Sequence, residues 1–147
     1  MKPPPAGWPR ISAAVFYEDA ARAITWLCEA FGFEVALRVD GAGGAVEHSQ
    51  LVLDGGLVMV STLRRDAARV GAGLRVSPRE LGGRTTMSLL VYVDDADAHC
   101  ARARAAGAII AIEPTTSDYG PGYWAERGYE AVDPEGHRWW FMQRLRG

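Results

Sequence analysis

Along this chain the apolar positions pass twice through one order of patterns: a strand-like run, a helical stripe, then further alternating runs. The first pass opens with residues 11–17 (ISAAVFY), reaches Glu18-Asp19, and continues over 20–31 with Ala20, Ile24, Leu27, Cys28 and Phe31 at i, i+4, i+7, i+8 and i+11. That spacing puts one apolar stripe on a helix, as expected of a helix laid on a sheet. The second pass opens with 87–93 (MSLLVYV), reaches Asp94-Asp95, and continues over 96–106. An aspartate before a helix accepts hydrogen bonds from first-turn amides, and glycines such as Gly32 and Gly107 suit the left-handed residue that ends one. Asp19 to Gly32 and Asp94 to Gly107 both span 13 positions, so cap, helix and stop recur at one interval, the mark of an internal repeat.

Strand candidates follow each glycine: 33–39, 46–53 and 57–62 in the first pass, then 108–112, 129–132 and 138–143 in the second. Each half therefore reads βαβββ, an α+β arrangement, and its last two strands are joined by turn-forming residues, Asp54-Gly55-Gly56 or Asp133-Pro134-Glu135-Gly136. Gly32 to Gly56 is 24 positions and Gly107 to Gly136 is 29, and the extra residues are assigned to Tyr119-Gly120-Pro121-Gly122-Tyr123-Trp124. Between the halves, residues 64–86 show no clear strand and carry Arg64, Arg65, Arg69, Arg75, Arg79 and Arg84. This stretch is read either as a solvated crossover or as a functional loop, with Ser77-Pro78-Arg79-Glu80 able to start a short helix.

Composition narrows the class. A chain of 147 residues with 48% hydrophobic and 23% charged positions has the length and balance of one globular domain. Sixteen basic against 18 acidic side chains, a net charge of −2, give no general attraction to nucleic acid, and Lys2 is the only lysine. No run approaches the ~18 apolar residues of a membrane span, and Met1-Lys2-Pro3-Pro4-Pro5 reads as a proline-stiffened tail rather than a leader, so the expectation is a soluble, cytoplasmic protein with neither nucleic acid nor membrane as partner. Cys28 and Cys100 have no paired metal or redox spacing and are expected to be buried thiols.

With these elements in order, the sequence resembles the glyoxalase, bleomycin-resistance and dioxygenase superfamily, the vicinal oxygen chelate proteins. The resemblance covers about residues 10–145 and rests on five phrases: Tyr17-Glu18-Asp19-Ala20-Ala21-Arg22-Ala23-Ile24, Ala30-Phe31-Gly32-Phe33-Glu34, Val93-Asp94-Asp95-Ala96-Asp97, Ala106-Gly107-Ala108 and Asp133-Pro134-Glu135-Gly136-His137-Arg138-Trp139. It implies a single domain over 1–147 with halves at about 10–63 and 87–145, curled half-sheets around a cleft, helices outside, and a homodimer. Metal-dependent members take His, Glu or Gln ligands from the first and fourth strands of both halves. Those positions here hold Ser12, Ser88, Met59 or Val60, and Trp140, which cannot replace imidazole and carboxylate donors on a divalent ion. Neither a metal nor any other cofactor is expected, and the substitutions argue against glyoxalase and extradiol dioxygenase chemistry.

The remaining candidates concern a ligand. Strand alternation places His48 and Gln50 on one face and Glu47 and Ser49 on the other. Facing a cleft, His48 and Gln50 would orient a ligand, with His48 a candidate general base; facing outward, they are solvated. His137 is read as a turn residue and His99 as a helix residue either half exposed or packed on a neighbour. Arg138, Trp140 and Met142 share a face, and by the same alternation Ser12, Ala14, Phe16, Ser88, Leu90 and Tyr92 should look inward. Such a pocket suits a flat or partly apolar small-molecule ligand carrying an anionic or carbonyl group. Trp124, with Tyr119 and Tyr123, is read either as a lid over that ligand or as part of a dimer contact. The function expected is metal-free sequestration of an aromatic or partly apolar ligand. The alternatives are a glyoxalase-like enzyme, either a lyase or isomerase using His48 or Glu47 as base or one whose metal sits on ligands other than those aligned above, and a domain kept for assembly alone.

Overall fold

In the computed structural model, which describes residues 1–66 and 73–147, each pass of the repeat forms one βαβββ unit, and the two units divide at Ser77 and Pro78. The first contains β1 (Ala13–Tyr17), α1 (Ala20–Phe31), β2 (Glu34–Asp40), β3 (Val46–Leu53) and β4 (Gly56–Thr62); the second contains β5 (Ser88–Tyr92), α2 (Ala96–Ala105), β6 (Ile109–Asp118), β7 (Ala125–Val132) and β8 (Arg138–Arg146). Their sheets have matching orders, β1-β4-β3-β2 and β5-β8-β7-β6. In both, the first strand runs parallel to the fourth and the other pairs are antiparallel.

In the first unit the caps form as Asp19 and Gly32 imply; in the second Asp95, not Asp94, caps the helix, which ends at Ala105 with Ala106 as its C-cap, so the equal interval counted from Asp94 is not an interval between caps. Asp19 and Asp95 accept from the backbone N–H of Arg22 and Ala98, and Gly32 closes α1 with φ 81°. A side chain at that left-handed position costs about 1–2 kcal/mol. Gly32→Ala is accordingly expected to lower the free energy of unfolding, measured in urea, by that amount while the far-ultraviolet dichroism of the native state is retained.

In the first unit, Ile24, Leu27 and Phe31 of α1 are buried along with Val15, Tyr17, Leu51 and Val60 of the sheet. Ser49 is wholly buried there and donates to the Val60 carbonyl at 2.6 Å, which satisfies its hydroxyl. The second unit reaches a similar core by another route. Its helix buries only small groups, Ala96, Cys100 and Ala103, and the sheet supplies the bulk through Tyr129, Trp139 and Phe141, none of them exposed. His99 of α2 lies 4.3 Å from the Phe141 ring and bonds the Tyr129 hydroxyl at 2.7 Å, so these three sheet residues mark the helix-facing side. Burial holds the Tyr129 hydroxyl well above the usual tyrosine range.

Several boundaries differ from the sequence reading. The first strand starts at Ala13, so Ser12 precedes it. The longer second half is accounted for mainly by β6, which runs on to Asp118. Glu113-Pro114 reads as a break, but β6 is an edge strand and Pro114 falls at a register shift between Ile112 and Thr115, where a missing N–H is tolerated. Only Tyr119 to Trp124 remain as the hairpin loop. Likewise β7 begins at Ala125: Gly128 is required there, since a Cβ would meet the Met142 side chain and approach the Phe141 carbonyl oxygen to 2.9 Å. Cys100 is buried, whereas Cys28 is only half-buried; burial raises both thiols above the ordinary cysteine value.

Of residues 64–86, those described form no strand, and Pro78–Leu81 is a short 3-10 turn. The Arg79 guanidinium donates to the Pro134 carbonyl at 3.0 Å, tying this turn to the one that carries Gly136. Arg64 pairs with Glu47, and Arg69 lies outside the described residues.

Candidate functional site

Because β-strands alternate, the sheet face turned away from each helix follows from the register. In the first unit Ala14 pairs with Met59 and Met59 with Gln50, while Phe16 pairs with Ser61. His48 and Gln50 therefore share a face with Ala14, Phe16 and Met59, opposite the side on which Val15, Leu51 and Val60 are buried. Their side-chain nitrogens, both Nε2, lie 3.2 Å apart. The Arg75 guanidinium sits 4.6 Å from the centroid of the Phe16 ring. Ser12 Oγ is buried with no hydrogen-bond partner among the described residues. Glu47 is engaged by Arg64 on the other side of the strand, which leaves His48 the better placed of the two candidate bases.

The second unit repeats this frame with different chemistry. Leu90 pairs with Trp140 and Trp140 with Glu130, so Leu90, Trp140 and Glu130 occupy the positions of Ala14, Met59 and Gln50. Ser88, Leu90 and Tyr92 of β5 stand beside Arg138, Trp140 and Met142 of β8, on the side away from α2. The expected set Ser88, Tyr92, Arg138 and Trp140 is thus on one face, and Ser12, Phe16, His48 and Gln50 belong to the other unit. Trp124, the last residue of the β6–β7 loop, joins this face through Arg144, whose guanidinium carbon lies 5.4 Å from the centroids of both Trp124 and Tyr92. Tyr119 packs 5.2 Å from Trp124, and Tyr123 6.4 Å from it.

Two carboxylates beneath this face were not expected. Glu126 and Glu130 are 8% and 7% exposed. A buried carboxylate needs a compensating partner, and each has one. Arg138 Nη1 donates to Glu130 Oε2 at 2.6 Å. Arg144 Nη2 donates to the Tyr92 hydroxyl at 2.7 Å, the Tyr92 hydroxyl donates to Glu126 at 3.4 Å, and Arg144 lies 3.8 Å from the same carboxylate. Glu130 lies within the strand predicted over 129–132, and extending that strand back past Gly128 would have found Glu126. Extending the strand predicted over 138–143 by one residue would have found Arg144.

The other histidines have structural surroundings. His99 packs on α2's own sheet, and His137 closes a turn in which its backbone N–H donates to Asp133 at 3.0 Å.

For the divalent ion that the fold implies, the donor set does not fit. The carried-over positions hold hydroxyl, thioether, aliphatic and indole groups, the face glutamates are engaged by arginines, and among the described residues no three His, Cys, Asp or Glu side chains come together. No chemical step is derived through a metal.

The comparisons agree with this frame. A family model described as the Glyoxalase/Bleomycin resistance protein/Dioxygenase superfamily matches residues 11–141. An uncharacterized protein of Mycobacterium bovis is 33% identical over 140 residues, covering 94% of this chain and 85% of that one. Among solved structures, TioX from a Micromonospora species is 34% identical at a TM-score of 0.68, over 93% of this chain and 99% of TioX. A glyoxalase I variant from Zea mays shares the fold at 17% identity and a TM-score of 0.64, over 90% of this chain and 43% of that one. The chain, two βαβββ units with matching strand orders and registers, belongs to the glyoxalase, bleomycin-resistance and dioxygenase superfamily.

Proposed function

We propose that this protein binds and sequesters an aromatic or partly apolar small molecule without a metal, and that the β5–β8–β7 face is the principal contact surface. One observation carries the reading: Leu90, Tyr92 and Trp124 are 59%, 52% and 39% exposed beside Trp140 and two arginines anchored on buried glutamates. Apolar and aromatic surface left open around a few fixed polar groups is the usual make-up of a small-molecule site. The same reading takes the protein to be a cytoplasmic homodimer with no nucleic-acid or membrane partner. No helix among the described residues is long and apolar enough to cross a membrane.

The test uses protein purified without a histidine tag. Titration with a panel of planar aromatic acids and phenols, followed by tryptophan fluorescence, is expected to yield a saturable ligand that raises the melting temperature. A concentration 100-fold above Kd adds about 2.7 kcal/mol of stability. Zinc, nickel, manganese or iron(II) should not raise the melting point. Stoichiometric metal in elemental analysis, or a melting point that climbs with any of these ions, would reverse the reading.

The His48–Gln50 pair supports a second reading, a metal-independent lyase or isomerase with His48 as base. Turnover that survives exhaustive chelation and disappears in His48→Asn would establish it.

A further inference from the structure

Both arginines of the second face lie on one side of β8, six residues and therefore about 20 Å apart, so one small ligand group cannot engage both. Exposure does not choose between them, since the Arg138 and Arg144 side chains are 39% and 40% accessible. Their partners do. Arg138 makes a direct 2.6 Å bond to Glu130, whose side chain is 9% exposed, so its charge is neutralised in place by a fixed carboxylate. Arg144 donates at 2.7 Å to an uncharged phenol, and its carboxylate, Glu126, stands back at 3.8 Å. The rings of Tyr92 and Trp124 also flank its guanidinium, each at 5.4 Å, which fixes a planar cation next to open aromatic surface.

We propose that Arg144 is the specificity-determining residue of this face and selects a planar aromatic acid, a carboxylate or sulfonate, whose ring lies against the Tyr92 and Trp124 surface while its anionic group takes the outward N–H donors of Arg144. The inference rests on the ligand-binding reading above and deepens it. Glu126 is a positioning residue: by accepting from the Tyr92 hydroxyl it turns that oxygen's lone pairs towards Arg144. It also tempers the arginine's charge, so its removal should strengthen the selection of anions.

A matched pair of fluorescent probes tests this on the whole chain: 8-anilino-1-naphthalenesulfonate and its uncharged counterpart N-phenyl-1-naphthylamine. The unmodified protein is expected to prefer the sulfonate at least tenfold. Arg144→Gln should abolish that preference by weakening the sulfonate at least tenfold more than the neutral probe, Arg138→Gln should reduce it at least fivefold less than Arg144→Gln, and Glu126→Gln should increase it about threefold. Arg127→Gln, which removes the bonds to Asp97 and Thr116 and touches neither Arg144 nor Arg138, serves as the control, and melting curves confirm that each variant is folded. A preference that survives Arg144→Gln, or one that depends on Arg138 instead, overturns the assignment of Arg144. Failure of the parent reading looks different: neither probe saturates the unmodified protein, or Trp140→Ala binds both probes unchanged.

Discussion

Alanine in place of Asp133 is expected to cost about 3–5 kcal/mol of stability, more than any surface change considered above. The carboxylate is 3% exposed and holds four donors at once. Oδ1 accepts from the backbone N–H of Glu135, Gly136 and His137, each at 3.0 Å, and Oδ2 accepts from Trp139 Nε1 at 3.2 Å. Truncation removes the carboxylate these donors share, and although the Gly136 N–H keeps its bond to the Asp133 carbonyl at 3.0 Å, the loss of a buried donor's acceptor costs about 1–3 kcal/mol. Water reaching the half-buried Gly136 and His137 keeps the total below the sum of four such penalties. Asparagine does not rescue the site. Either its amide nitrogen faces the Trp139 N–H, donor against donor, or it is flipped and faces the three backbone N–H groups. Asp133→Asn should therefore also destabilise, by about 2 kcal/mol. Urea unfolding of both variants checks the pair, and an Asp133→Ala free energy of unfolding within about 1 kcal/mol of the parent would show that the turn holds without its carboxylate.

The second large effect separates two adjacent tryptophans. Trp139 is wholly buried on the helix side of β8, and Trp139→Ala should cost about 3–5 kcal/mol, the usual range for removing a large aromatic from a core. Trp140 is half-buried on the opposite side, where Leu90 and Glu130 are its neighbours in register. Trp140→Ala should leave the free energy of unfolding within about 1.5 kcal/mol of the parent, because little core volume is lost. It should instead weaken binding of a planar aromatic ligand at least tenfold. Thermal melts and ligand titrations on the two variants therefore give crossed results. Equal destabilisation by both would mean that Trp140 is core, and the ligand-binding reading would lose its main aromatic contact.

The split between a buried and an open side of β8 is legible from alternation along 138–143. Trp139 and Phe141 were placed on one side and Arg138, Trp140 and Met142 on the other from the period of a strand alone, and the register agrees. The helices were equally legible: Asp19, Asp95, Gly32 and Gly107 each have a local backbone reason for their position, and α1 spans the residues its stripe predicts. Where local chemistry pointed two ways, the reading stopped short. Pro114 and Gly128 look like strand breakers, yet one lies on an edge and the other under Met142, and neither fact is visible from neighbours in sequence.

By itself, then, the sequence determined the duplicated βαβββ plan, the caps, the turns and which side chains of a strand point together. These depend on contacts within a few residues, where spacing is geometry. Only the tertiary structure decided that β1 and β5 lie parallel beside β4 and β8, that His48 and Gln50 share a face with Phe16, and that Glu126 and Glu130 are buried beneath Arg144 and Arg138. Pairing between strands brings together residues as far as 52 positions apart, such as Tyr92 with Arg144, and 18 apart for Glu126 with Arg144. A buried carboxylate is tolerable only where such a partner arrives, so the charge pattern of the candidate site is a property of the assembled sheet rather than of any segment of chain.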